Sequence, residues 1–154
     1  MKPTPLILAD SWTYKVTVLS DMVARRVARI VSEISGLNLS QWRVMIAVAD
    51  QAGRTVSDVV TVTPMDKTIV SRSAQHLVKI GLLTRTASDL DGRVSHLNLT
   101  ETGQNLYNEI MQKLDFHDAN GKDLMGSNEE TELLNLLDQT IDLYRSKSHK
   151  LSQG

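Results

Sequence analysis

The stretch TPMDKTIVSRSAQHLVKIGLL, residues 63–83, decides how the rest of the chain is organised. Its spacing predicts an amphipathic helix, because Val70, Ala74 and Leu77 recur at intervals of four and three on one face. The opposite face is cationic and rich in hydroxyl and amide groups: Lys67, Thr68, Ser71, Arg72 and Gln75. Because Arg can bind guanine and Gln can bind adenine in a DNA major groove, this face fits nucleic acid. The alternative is an ordinary solvated helix surface.

Both ends of this helix carry sequence signals. Thr63 is the predicted N-cap, Pro64 takes the first helical position, and Asp66 stands where a capping-box acid belongs. Gly81 predicts the C-terminal end, since glycine adopts the left-handed conformation at low cost. The helix is therefore expected to fill most of the stretch.

The segments around this helix predict a winged helix-turn-helix. A capping box at Thr55–Asp58 opens a short helix that should end near Val62. After the long helix, residues 82–86 predict a strand, residues 88–92 a turn, and residues 93–99 a second strand in which Leu97 and Leu99 alternate. Two helices followed by such a hairpin, or wing, form this fold.

The runs SQWRVMIAVA, GRTVSDVV, MDKTIVSR, LVKIGLLTR and DGRVSHLNLTETG resemble the MarR family of bacterial transcription regulators. The resemblance covers about Leu39 to Gly103, and we take the DNA-binding candidates to be Lys67, Thr68, Ser71, Arg72, Gln75 and, in the wing, Arg93. The family often has two adjacent basic residues after the wing-tip Asp, whereas Gly92 occupies the first of those positions here. We therefore expect a weaker or more mobile wing contact.

Long amphipathic helices are predicted on both sides of this core. The first spans Ser11–Ser35 and ends at Gly36; another follows its cap Thr100, and the last opens at the capping box Ser127–Glu130. Their apolar stripes are wider than one small winged domain can cover, which predicts a two-fold homodimer, and the resemblance implies the same. We expect a mainly α (α+β winged helix) fold in three parts: 1–37, an N-terminal dimerisation helix; 38–100, the winged helix-turn-helix DNA-binding domain; and 101–154, C-terminal dimerisation helices.

A further helix is expected from Gln41 to about Gln51, with Ser40 as its cap. Its predicted buried residues are Trp42, Met45, Ile46 and Ala49. Trp42 is interpreted as a core anchor, because its large apolar area stabilises more when buried than as a ligand platform.

Charge is distributed unevenly along the chain. The formal net charge is −1, but residues 1–37 and 38–100 each carry +2, and residues 101–154 carry −5. Because a local cationic patch suffices to attract phosphate, the overall balance does not exclude a DNA-binding protein. The chain has no cysteine, which excludes disulfides and thiol-based redox sensing.

Signals for an enzyme or a metal protein are missing from the sequence. It has no glycine-rich phosphate loop, nucleophile elbow or HExxH motif, so no enzymatic activity and no cofactor are expected. Asp115, His117 and Asp118 are too closely spaced on one helix to face a single ion, so no metal site is predicted. The apolar run at residues 6–9 is too short for a signal peptide or a membrane span, which predicts a cytosolic protein without membrane association.

The resulting hypothesis is a dimeric repressor that binds double-stranded DNA at a pseudo-palindromic operator, with recognition helices about 34 Å apart. The resemblance implies release from DNA by a small aromatic or phenolic ligand, for which the candidates are Trp12, Tyr14 and Arg43; core packing or solvation is the alternative for each. The alternative function is a winged-helix module that binds protein and reads no DNA sequence.

Overall fold

The computed structural model describes residues 8–88, 94–114 and 125–151. In these residues a short 3-10 turn (Leu8–Asp10) precedes six α-helices and a two-stranded antiparallel sheet: α1 (Trp12–Ser35), α2 (Leu39–Asp50), α3 (Val56–Val62), α4 (Lys67–Lys79), β1 (Leu83–Ala87), β2 (Ser95–Leu99), α5 (Glu101–Lys113) and α6 (Ser127–Leu151). The predicted mainly α, winged-helix fold is confirmed. Residues 89–93, which include the wing candidate Arg93 and all of the predicted turn except Ser88, lie outside the described residues, as does the cluster Asp115, His117 and Asp118.

The chain divides into two compact units, Met1–Leu114 and Asp115–Gly154. The first unit has one apolar core, built where α1, α2, α4, α5 and the sheet meet. Trp42 is fully buried in it and stacks on Tyr107 of α5 at a ring-centroid distance of 5.7 Å, as expected of a core anchor. Its Nε1 has no hydrogen-bond partner among the described residues.

Helix α4 begins later than the sequence predicted. Its N-cap is Asp66, whose carboxylate accepts a hydrogen bond from the Ile69 N–H at 2.9 Å. Thr63 is instead the C-cap of α3, and its hydroxyl donates to the Val59 carbonyl at 2.7 Å. The turn between the two helices buries Met65 in the core, so the helix starts only at Lys67. The predicted apolar stripe and the stop near Gly81 (φ +78°) are confirmed.

Helix α2 also starts from a different cap. Asn38 and Gln41 form a reciprocal capping box with two N–H···O bonds of 2.9 Å, so Ser40 lies inside the helix. Trp42 and Met45 are buried as predicted, but Ile46 is exposed and Ala49 is half-buried. The positions that complete the core are Val44, Ala47 and Val48. Helix α2 buries these additional positions because α1, α4, α5 and β2 pack against several of its sides.

The sheet register sets the direction of the wing. Leu83 pairs with Leu99, Arg85 with Leu97, and Ala87 with Ser95. Because paired residues point to the same face, Arg85 lies on the face that buries Leu83 and Leu97. The strands begin one and two residues later than predicted, at residues 83 and 95.

The return from the wing into α5 is a tight junction. Thr100 caps α5 as predicted: its hydroxyl accepts from the Gly103 N–H at 2.9 Å and donates to the Gly81 carbonyl at 2.7 Å. Gly103 is buried so close to the Leu82 backbone that an added Cβ would overlap the Leu82 carbonyl oxygen. The motif LTETG therefore joins the sheet to α5.

The terminal helices leave apolar residues exposed. The second half of α1 packs on the core through Val31 and its neighbours, whereas Leu19 in its first half is 57% exposed. Helix α6 begins at Ser127, inside the predicted capping box, and the Glu129 carboxylate accepts from the Gly126 N–H. No helix in the described segments combines the length and apolar character needed to cross a bilayer.

Candidate nucleic-acid interface

The polar face of α4 carries two rows of side chains. Residues four apart on a helix are neighbours, so Lys67 and Ser71 form one row, and Thr68, Arg72 and Gln75 form the other. All except Ser71, which is half-buried, are exposed. Within the described part of the chain, neither Lys67 nor Arg72 forms an ion pair. The structure thus brings together five of the six predicted DNA-binding side chains; the sixth, Arg93, lies outside the described residues.

A polar cleft of about 300 Å³ lies between the start of α3, the first turn of α4 and the hairpin. Lys67 and Ser71 line it from α4, and Arg85 and Ser95 line it from the sheet. Sequence reasoning missed Arg85. The sequence signal for Arg85 is its position two residues after Leu83 in the same strand. Residues two apart in a strand share a face, so Arg85 lies on the inward face of the hairpin, towards its outer end.

The hairpin is attached to the loop before α3. The Gly53 N–H donates to the Leu97 carbonyl at 3.0 Å, and the Leu97 N–H donates to the Arg54 carbonyl at 2.9 Å. His96 Nδ1 lies 2.7 Å from the Gly53 carbonyl oxygen. Because a carbonyl only accepts, Nδ1 carries the proton and donates. Arg54 also donates to the Ala47 carbonyl and the Asp50 carboxylate, so the wing is fixed through this loop to α2.

The predicted capping box at the start of α3 is confirmed. The Asp58 carboxylate accepts from the Thr55 N–H and hydroxyl, both at 2.8 Å, and the Thr55 hydroxyl accepts from the Asp58 N–H. The hydrogen bonds from Thr55, backbone first, lower the pKa of Asp58 below its ordinary value of 3.8, and the charges of Arg54 and His96 add to this. The carboxylate is therefore occupied locally and does not line the cleft.

The three ligand candidates are not gathered at one cavity. Trp12 and Tyr14 are exposed near the start of α1, and Arg43 is half-buried on α2. Tyr14 lines an apolar cleft of about 260 Å³ with Lys15 and Leu19, but neither Trp12 nor Arg43 reaches it. Among the described residues no three His, Asp or Glu side chains could hold a metal ion.

Several solved structures share this architecture. CouR from Rhodococcus jostii RHA1 bound to p-coumaroyl-CoA is similar to this chain, with a TM-score of 0.75 and 19% sequence identity. The match covers 88% of this chain and 95% of CouR. The transcriptional repressor CouR bound to a 23-mer DNA duplex matches with a TM-score of 0.72 and 22% sequence identity. The match covers 90% of this chain and 99% of CouR. PcaV from Streptomyces coelicolor in complex with its natural ligand matches with a TM-score of 0.67 and 16% sequence identity. The match covers 91% of this chain and 98% of PcaV. At these identities the likeness concerns the fold.

The sequence comparison identifies the winged domain. No curated protein is a significant match to the chain. The profile of the MarR family matches residues 35–94, which include α2, α3, α4 and β1. Proteins of this family are non-enzymatic DNA-binding transcription regulators, in agreement with the expectation that the chain is not an enzyme. Residues 35–94, which carry the helix-turn-helix, therefore match the model of the MarR family of transcription regulators.

Proposed function

We propose that the chain is a cytosolic, homodimeric transcriptional repressor that binds a pseudo-palindromic operator. The observation that carries this proposal is the exposed row Thr68, Arg72 and Gln75 on α4, which lies beside a hairpin that carries Arg85. Such a helix fits a major groove, where Arg and Gln side chains distinguish bases. The similar fold of CouR bound to DNA supports the same use of the winged domain.

The test is a selection of operators from random duplex DNA with the purified full chain, followed by affinity measurements at two salt concentrations. A pseudo-palindromic sequence bound with a steep salt dependence is expected, because phosphate contacts release counterions. No enriched sequence, with weak binding even at low salt, would reject DNA recognition in favour of a protein-binding winged helix.

Arg72 is proposed to bind a base edge. Arg72→Ala should weaken binding to the selected operator by about 1–3 kcal/mol and relax the preference at one base pair. Lys79→Ala, which removes a cation from the last turn of the same helix, is the matched control. Fluorescence anisotropy with the operator and with single-base variants measures both effects. Unchanged affinity and preference in Arg72→Ala would remove this residue from the recognition surface.

Homodimer formation is proposed through the terminal parts of the chain, 1–37 and 101–154, leaving 38–100 to bind DNA. Support comes from large apolar side chains on α1 and α6 that are exposed to solvent: Trp12, Val16, Leu19, Val23, Leu134, Leu137, Ile141 and Tyr144. Light scattering over a range of protein concentrations should give twice the mass of the chain. A monomer at all concentrations would contradict this part of the proposal.

A small aromatic acid is proposed to release the repressor from DNA. The apolar cleft near the start of α1 supports this, since Tyr14 offers a ring and Lys15 a charge for a carboxylate. Such a ligand changes DNA affinity only if it binds one conformation better than another. A panel of aromatic and phenolic acids should raise the unfolding temperature and weaken operator binding. If no compound does either, this part of the proposal is wrong.

A further inference from the structure

The cleft beside α4 has the composition of an anion site. Its volume is about 300 Å³, and its polar lining comes from the start of α3, from α4 and from the hairpin: Thr55, Ser57, Lys67, Ser71, Arg85 and Ser95. Two cations thus face one cavity from elements 18 residues apart in sequence. No acidic side chain of a described residue lines it. Among the described residues, therefore, no carboxylate neutralises these two like charges, and an anion between them would be attracted by both.

The hydroxyl groups of the cleft are available to a ligand. The Thr55 hydroxyl, which also lines the cleft, donates to the Asp58 carboxylate. By contrast, the hydroxyls of Ser57, Ser71 and Ser95 make no hydrogen bond with any other described residue. Lys67 and Arg85 likewise form no ion pair within the described segments. The cleft therefore offers cationic and hydroxyl donors together.

These donors match the chemistry of a phosphate group. A guanidinium can bind two phosphate oxygens through its planar fork, an ammonium binds as a point charge, and hydroxyls donate to the remaining oxygens. In protein–DNA complexes, such groups contact the backbone and fix the register of the protein, whereas other side chains read the bases. The adjacent row on α4, which holds Arg72, is directed away from the cleft, since none of its members lines it.

We propose that this cleft binds one phosphodiester of the DNA backbone between Lys67 and Arg85. This inference rests on the proposed DNA-binding function and deepens it. Lys67 and Ser71 then position the protein on the duplex, and only Thr68, Arg72 and Gln75 remain to read bases on this helix. Arg85 becomes a DNA-binding residue outside α4.

The test compares three variants that each remove one positive charge: Lys67→Gln, Arg85→Gln and, as a control outside the cleft, Lys79→Gln. Both cleft variants should bind the selected operator about tenfold more weakly and lower the slope of log affinity against log salt by about one per cleft. The ratio of affinities for operator and scrambled duplex should stay the same, because a phosphate carries no sequence information. Lys79→Gln should resemble the wild type. Thermal unfolding of each variant verifies folding.

The outcomes separate this inference from the proposed function. If the wild type selects an operator but the two cleft variants keep its affinity and salt slope, the phosphate site is wrong and the function stands. If Lys67→Gln changes the preference at one base and leaves the slope unchanged, Lys67 reads a base and the inference is overturned. If the wild type selects no operator, the proposed function itself fails.

A free phosphorylated ligand is the other source of the same chemistry. Calorimetric titration with inorganic pyrophosphate, at constant ionic strength, distinguishes it from DNA. Weak or absent binding supports the backbone phosphate. Tight binding that is lost in Arg85→Gln, together with unchanged DNA affinity of that variant, would assign the cleft to a free ligand and overturn the proposal.

Discussion

Helices α4 and α6 each carry an apolar stripe, but only the stripe of α4 is buried. Val70, Ala74 and Leu77 have no solvent exposure, whereas Leu134 and Tyr144 of α6 are each 55% exposed. Since most of the stability of a helix in a protein comes from packing its apolar face, α4 is stabilised within its own unit. The apolar stripe of helix α6 is exposed instead.

Helix α1 combines both situations along its length. Val31 is fully buried against the core, while Leu19, three turns earlier, faces solvent. The same periodic pattern therefore has two meanings in this chain. In the region around Val31 it marks a buried core, and in the region around Leu19 it marks an exposed apolar surface.

The largest effect is expected in the core. Leu77→Ala should lower the free energy of unfolding by about 2–5 kcal/mol, since it removes buried methyl groups and leaves a cavity. Leu134→Ala removes the same atoms from an exposed position on α6. Urea unfolding followed by circular dichroism should show a loss for Leu77→Ala at every protein concentration. Equal losses in the two variants would contradict the difference between the helices.

The exposed stripe of α6 should instead control association. Leu134→Ala and Leu137→Ala should each raise the dissociation constant of the homodimer at least fivefold, which corresponds to about 1 kcal/mol. Sedimentation at several concentrations measures this constant. Asp138→Ala, a neighbouring polar position on α6, is the control. An unchanged dissociation constant in both leucine variants would remove α6 from the interface.

Gly103 and Gly126 differ in the space available for an added methyl group. Gly103→Ala should destabilise the chain by about 1–3 kcal/mol, because the added methyl group would overlap the Leu82 carbonyl oxygen and α5 must shift. At Gly126, before α6, the new methyl would meet only the Glu129 side chain at ordinary van der Waals distance, 3.5 Å. Gly126→Ala should therefore stay within about 0.5 kcal/mol of the wild type. Thermal unfolding of both variants tests this; a stabilised Gly103→Ala protein would refute the close approach.

The elements that follow from local patterns were predictable from the sequence. The stripe of α4, the Thr55–Asp58 capping box and the helix end at Gly36 each depend on residues a few positions apart. The start of α4 was not, because Thr63 and Asp66 are both good caps. The choice between them depends on burying Met65, which is a tertiary contact.

The candidate site shows the same limit. The exposed face of α4 could be predicted from helical spacing, but Arg85 could not be linked to it, since the cleft unites residues near 57, 70 and 85–95. Ile46 was predicted to be buried and is exposed, because the elements packed on α2 cover the faces that carry Val44, Ala47 and Val48 instead. Contacts between distant segments decide both cases.

The smallest effect concerns a polar cap of the winged core. The pKa of Asp58 is lowered in the folded chain, so its carboxylate contributes stability above its ordinary pKa of 3.8, and this contribution is lost as the pH falls through the lower, folded value. Asp58→Asn should therefore lower the free energy of unfolding at pH 7 by about 0.5–1 kcal/mol, since the group is exposed and its interactions are screened. The difference from the wild type should disappear once the pH is below the lowered, folded-state pKa, where the carboxyl is protonated in both states. Glu109→Gln removes the same charge from an exposed position on α5 and should show no such pH dependence. If the loss of stability in Asp58→Asn persists in acid, the effect comes from geometry and not from charge.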